Sequence, residues 1–129
     1  MSEPATFAEV YQRLRSILMQ HVPPLVITAD TDRDFSLAVD FPDAPAPARY
    51  FGGVNIRRTY VSFYLMPVYA APALLERASV ELLKRKQGKS CFNFSKVDEN
   101  LFGELSELTN RAVPPYLELL PVIFARKAR

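Results

Sequence analysis

Three sets of residues have types and spacings that suit chemistry. Asp30, Asp32 and Asp34 alternate in the D-x-D-x-D pattern that opens a calcium loop. Alternating carboxylates on a tight turn can give a hard cation several oxygens at about 2.0–2.6 Å. The pattern then stops. The sixth position is Phe35, where the sharp turn needs glycine, and the twelfth is Phe41, where a glutamate closes the shell. The run reads first as a solvated turn and only second as a weak metal site.

Cys91 and His21 are the lone thiol and the lone imidazole of the chain. Paired, they would make a thiolate–imidazole couple, with Asn93 orienting the ring. A cysteine is also a small apolar residue, and a histidine suits the end of a helix by its charge. One cysteine excludes an internal disulfide and a multi-cysteine zinc site, and one histidine excludes a site built of several. No catalytic residues are assigned, and no cofactor fingerprint is present.

The bases form the third set. Residues 44–97 carry a net charge of +7, residues 1–43 a net of −4 and residues 98–129 a net of −1. Lys84, Arg85, Lys86 and Lys89 are the densest cluster, with Arg57, Arg58 and Arg77 elsewhere in the middle third. Cations also belong in the last turn of a helix. Gly88-Lys89-Ser90 is no phosphate loop, because position 83 is leucine and a strand follows. The overall net charge of +2 names no polyanionic partner, and neither DNA nor RNA is expected.

Rings accompany these bases. Val61, Phe63 and Leu65 alternate with Tyr60, Ser62, Tyr64 and Met66. In a strand the two sets face opposite ways. If helices cover the aliphatic side, Tyr60 and Tyr64 face outward, with Tyr69, Tyr50 and Phe51 as further candidates. Tyrosine presents flat apolar area with a polar tip, which suits binding.

The elements that hold these groups follow from periodicity. Phe7, Val10, Tyr11, Leu14, Ile17, Leu18 and His21 predict a helix over 6–21. Thr6 and Glu9 have capping-box spacing, and Pro23-Pro24 stops the helix. Segments 25–29 and 35–41 read as one hairpin, and 50–56 and 60–66 as a second. Residues 42–48 form a proline-rich loop. Gly52-Gly53 marks a bulge or a close backbone approach. Pro72 opens a helix ended by Gly88, and 89–95 is a strand. Asp98 caps a third helix carrying Leu101, Phe102, Leu105, Leu108 and Ala112. Pro114-Pro115 starts a fourth helical segment, with Tyr116, Leu119, Leu120, Ile123 and Phe124 in register and Pro121 as a kink.

The fold class is therefore α+β. The expected architecture is a two-layer sandwich of about five mainly antiparallel strands, with helices packed on one face, in the order α-β-β-β-β-α-β-α-α. At 129 residues and 14.6 kDa, 1–129 read as a single domain with 114–129 as a C-terminal helical extension. Hydrophobic residues at 49% and charged residues at 23% exclude disorder. The longest uncharged run, Thr59 to Leu75, is 17 residues and holds two prolines, so no membrane span is expected. No charged leader precedes an apolar stretch at the start, so a cytoplasmic location is expected.

The stretches Tyr60-Val61-Ser62-Phe63-Tyr64-Leu65-Met66-Pro67-Val68-Tyr69 and Gly88-Lys89-Ser90-Cys91-Phe92-Asn93-Phe94 resemble the YdhG-like family of small bacterial proteins of unknown function. The resemblance covers residues 50–113 and implies a compact αβ sandwich. It supplies no agreed catalytic residues. The wider family includes a frataxin-like iron chaperone, which implies an iron-binding alternative through Asp30, Asp32, Asp34, Glu9 and Asp40. A frataxin-type surface is an acidic ridge on the first helix, where this chain has Glu9 beside Arg13 and Arg15.

The leading expectation is a non-enzymatic binding module. A small organic anion or peptide would lie on the tyrosine-rich sheet face, held by Tyr60, Tyr64, Arg57 and Lys89. A third reading makes that face an oligomer interface, in a monomer or homodimer.

Overall fold

The computed structural model describes residues 5–127, with side chains placed from residue 6 to residue 122. The chain begins with helix α1, Ala5–Met19, so Thr6 lies inside the first turn and not at its cap. Strands β1, Val26–Asp30, and β2, Asp34–Ala38, form the first hairpin. A short helix α2, Ala46–Arg49, leads into β3, Tyr50–Ile56, which pairs with β4, Val61–Leu65. Helix α3, Met66–Ala70, a 3-10 turn, Pro72–Arg77, and helix α4, Val80–Arg85, follow. The sheet is completed by β5, Lys86–Gln87, and β6, Cys91–Phe94, and the long helix α5, Glu99–Lys127, closes the chain. Every pairing is antiparallel, in the order β1-β2-β3-β4-β6-β5.

Alternation sorts the sheet into two faces. Phe35, Val54, Phe63 and Phe92 stand in register across β2, β3, β4 and β6, and all four are fully buried. They join Phe7, Val10, Tyr11, Leu14 and Leu18 of α1 in one core. Burying each large apolar side chain contributes about 1.5–3 kcal/mol, so this face dominates the folding energy. Helix α1 packs on β3, β4 and α5, α3 on β3 and α5, and α4 on β6 and α5. Arg13 donates to both carboxylate oxygens of Glu99 and ties α1 to α5. No helix among the described residues is long and apolar enough to cross a membrane.

Three further expectations are corrected. The sheet has six strands instead of about five, because Lys86–Gln87 forms a two-residue edge strand that turns back at Gly88 onto β6. Gly88 has φ 69°, the left-handed conformation that suits glycine at a tight turn. The single helix expected from Pro72 to Gly88 is interrupted. The Glu104 carboxylate accepts from the Ser79 amide at 3.0 Å and from the Ser79 hydroxyl. Ser79 in turn accepts from the Leu82 amide at 3.1 Å and caps α4.

The third correction concerns Pro114 and Pro115, which do not begin a new segment. α5 runs through them and through Pro121. Leu101, Leu105, Leu108, Ala112, Tyr116 and Leu120 form a continuous buried stripe at steps of three and four. The Tyr116 hydroxyl donates to the Tyr50 carbonyl at 2.9 Å, and its ring meets Phe51 edge-on at 5.7 Å. Tertiary packing thus holds the helix together against the prolines. Asp98 caps it as expected, accepting from the Leu101 amide at 3.1 Å. The side chains of Ile123 and Phe124 lie outside the described residues.

Candidate functional site

The second face of the sheet lies opposite the core row Phe35, Val54, Phe63 and Phe92; on it Ser62 and Cys91 are buried, while Asn55, Tyr64 and Asn93 are half-buried. Asn55, Ser62 and Asn93 stand in register there, beside a second row of Gly53, Tyr64 and Cys91. A register shift between Leu37 and Ala38, opposite Phe51, separates Tyr50 from Gly52. Phe51 goes into the core, fully buried, while the Tyr50 hydroxyl lies over Gly53 on the outer face. Phe51 is therefore not part of the aromatic surface. A Cβ on Gly53 would stand 3.0 Å from the Tyr50 hydroxyl and 2.6 Å from the Phe35 carbonyl oxygen. The glycine is the space in which Tyr50 lies.

Arg57 enters from the β3–β4 turn, which its amide closes by donating to the Tyr60 carbonyl at 2.8 Å. The guanidinium is exposed and lies beside the Tyr64 hydroxyl, within electrostatic reach of Tyr50 and Cys91. It has no carboxylate partner among the described residues. Burial pushes the Tyr64 phenol above its ordinary range, Cys91 adds to the rise, and Arg57 opposes it. Burial pushes Tyr50 up further, with the same guanidinium working against it. Both phenols are neutral hydrogen-bond donors near neutral pH.

Cys91 is 8% exposed, and its thiol donates to Asn93 Oδ1 at 3.2 Å. Burial raises its pKa, while Tyr64, Arg57 and Ser62 pull it down. The net is a protonated, unreactive thiol. Its expected partner is elsewhere. His21 follows α1 in the helical layer, next to Asn110 of α5, whereas Cys91 is on the outer sheet face. The sheet stands between thiol and imidazole, so the couple is not assembled.

The other expected residues are divided. Tyr64 and Arg57 come together. Tyr60 is in the turn itself, 36% exposed. Lys89 does not join them. It follows Gly88 in the β5–β6 turn and lies over the Tyr69 ring, on α3, at 5.4 Å from the centroid. Met66 opens α3 and leaves the strand alternation.

The aspartates do not converge. Arg15 donates to both oxygens of Asp30, at 3.1 and 2.7 Å, and holds that carboxyl below its usual range. Asp34 Oδ1 accepts from Asn55 Nδ2 at 2.6 Å. Thr31 closes the turn, accepting from the Arg33 and Asp34 amides. Among the described residues no three histidine, cysteine, aspartate or glutamate side chains are grouped to hold a metal ion.

Tyr50 and Cys91 complete the cluster around Arg57. The adjacent Tyr50 and Phe51 had to face opposite ways by strand parity alone, and the glycine pair marked where a ring lies over backbone. The site is thus one cation among neutral donors on an open antiparallel sheet. No protein-family model, curated protein or solved structure matches this chain.

Proposed function

We propose that this protein is a non-enzymatic binding module that receives a small organic anion, free or as the carboxylate of an extended peptide, on the outer sheet face. Arg57 supplies the charge, and the Tyr64 and Tyr50 hydroxyls supply neutral donors. The observation that carries the reading is a guanidinium with no carboxylate partner among the described residues, set against protonated phenols. Such a group recognises a carboxylate or phosphate in a forked geometry, with charge-assisted hydrogen bonds. Protonated phenols and a protonated thiol offer no general base or nucleophile, which favours binding over catalysis. The resemblance of 60–69 and 88–94 to a family without agreed catalytic residues favours the same reading. The iron-binding alternative has lost Asp30 to Arg15 and gains no support.

The test is thermal unfolding with a panel of dicarboxylates, phosphate and sulfonates. A ligand that binds only the folded state raises the midpoint. At least one anion should do so, Arg57→Ala should remove the shift, and Tyr64→Phe should reduce it. A flat response across the panel, or a shift that survives Arg57→Ala, would sink the proposal.

A further inference from the structure

A groove of about 320 Å³ lies on the helical side of the β5 edge, lined by Val68, Tyr69, Pro72, Leu75, Lys86 and Lys89. Its position follows from three elements. The α3 helix supplies Val68 and Tyr69, the 3-10 turn supplies Pro72 and Leu75, and the β5–β6 hairpin supplies the lysines. Gly88 turns the hairpin at φ 69°, so that two lysines three residues apart share one rim. Lys86 pairs with Phe92, on the core face of the sheet, whereas Tyr64 pairs with Cys91 on the outer face. The groove is therefore separate from the Arg57 cluster.

Its chemistry is asymmetric. Two lysines line the groove, and among the described residues no carboxylate does. Neither lysine has an acid partner among the described residues. Lys86 is held by the Gly88 carbonyl, and Lys89 rests over the Tyr69 ring. The rest of the lining is apolar, with Tyr69 itself 55% exposed. A cavity this size is at the small end of the range of about 300–1,000 Å³ for ligand sites.

We infer that this groove binds a small monocarboxylate with a compact apolar or aromatic body. The acid sits between Lys86 and Lys89, and the hydrocarbon part rests on Val68, Pro72, Leu75 and the Tyr69 ring. Inorganic phosphate has the charge but nothing to place on the apolar wall, and it would be held more weakly.

Amide-resolved NMR titration with phenylacetate, and with inorganic phosphate as the control, tests this. Phenylacetate should move the amides of residues 68–71, 73–75 and 86–90. Lys86→Gln with Lys89→Gln should weaken it roughly tenfold, without changing the melting midpoint of the free protein. Arg57→Ala should leave it unaltered. Absence of shifts, phosphate binding as tightly as phenylacetate, or affinity retained in the double variant would each overturn the proposal. Loss of phenylacetate on Arg57→Ala would do so too, by assigning the ligand to the outer face. The outcome is independent of the anion reading for that face, which Arg57→Ala tests by itself.

Discussion

Glu104 of α5 holds Ser79 by both its amide and its hydroxyl, and that pairing divides the segment between α3 and β5. Without it, Leu74, Leu75, Ala78 and Leu82 have the spacing of one continuous helix. The carboxylate competes for Ser79 and turns it into the cap of a new helix.

Glu104→Ala should destabilise the protein by about 1–3 kcal/mol, since it removes hydrogen bonds to a charged group at a part-buried site. Denaturant unfolding measures this. Hydrogen exchange should speed up first at residues 79–85, where the cap is lost. Equal exchange in variant and parent over that segment would contradict the assignment.

His21 should make stability depend on pH. Its Nε2 is buried and has no partner among the described residues, and burial lowers its pKa below 6.5 in spite of Asn110. The unfolded chain therefore takes up the proton first as the pH falls. Stability should be level above about pH 6.5 and should decline below it, until the folded-state pKa is passed. His21→Gln should flatten that limb of the profile. NMR titration of the ring should give a folded pKa under the ordinary value.

Gly53→Ala should cost about 1–3 kcal/mol by overpacking, because the new methyl meets the Phe35 carbonyl oxygen at 2.6 Å and no flexible atom can yield there. It should also displace Tyr50. Thermal melting gives the first effect. The environment-sensitive absorbance of the half-buried Tyr50 gives the second.

Pro114→Ala should stabilise the protein. Pro114 is exposed inside α5, so alanine removes no core contact and restores a backbone donor. The gain should be about 1–3 kcal/mol, bounded by the helix-interior penalty of proline and reduced by the freer unfolded chain. A neutral or destabilising result would mean that the helix is broken at this point in solution.

Local pattern was enough to read the apolar face of the sheet, both hairpins, the Asp98 cap and the buried stripes of α1 and of α5 as far as Ala112. Each depends on a period of 2 or 3.6, or on a residue bonding its own neighbours. Val61, Phe63 and Leu65 could face only one way once a core existed. That choice sent Tyr64 outward.

The candidate sites needed more. Whether Arg57 meets Tyr64 depends on how a turn directs a long side chain, and whether Lys89 meets Tyr69 depends on how α3 packs beside a hairpin. Those contacts join residues with no shared periodicity. The continuation of α5 past Pro114 is of the same kind. Local propensity argues for a break, and the pairing of Tyr116 with Phe51 and the Tyr50 carbonyl outweighs it. Sequence determined what each segment prefers and which side is greasy. Only the folded molecule decided which polar groups share a surface, because long-range packing sets those distances and no pattern along the chain encodes them.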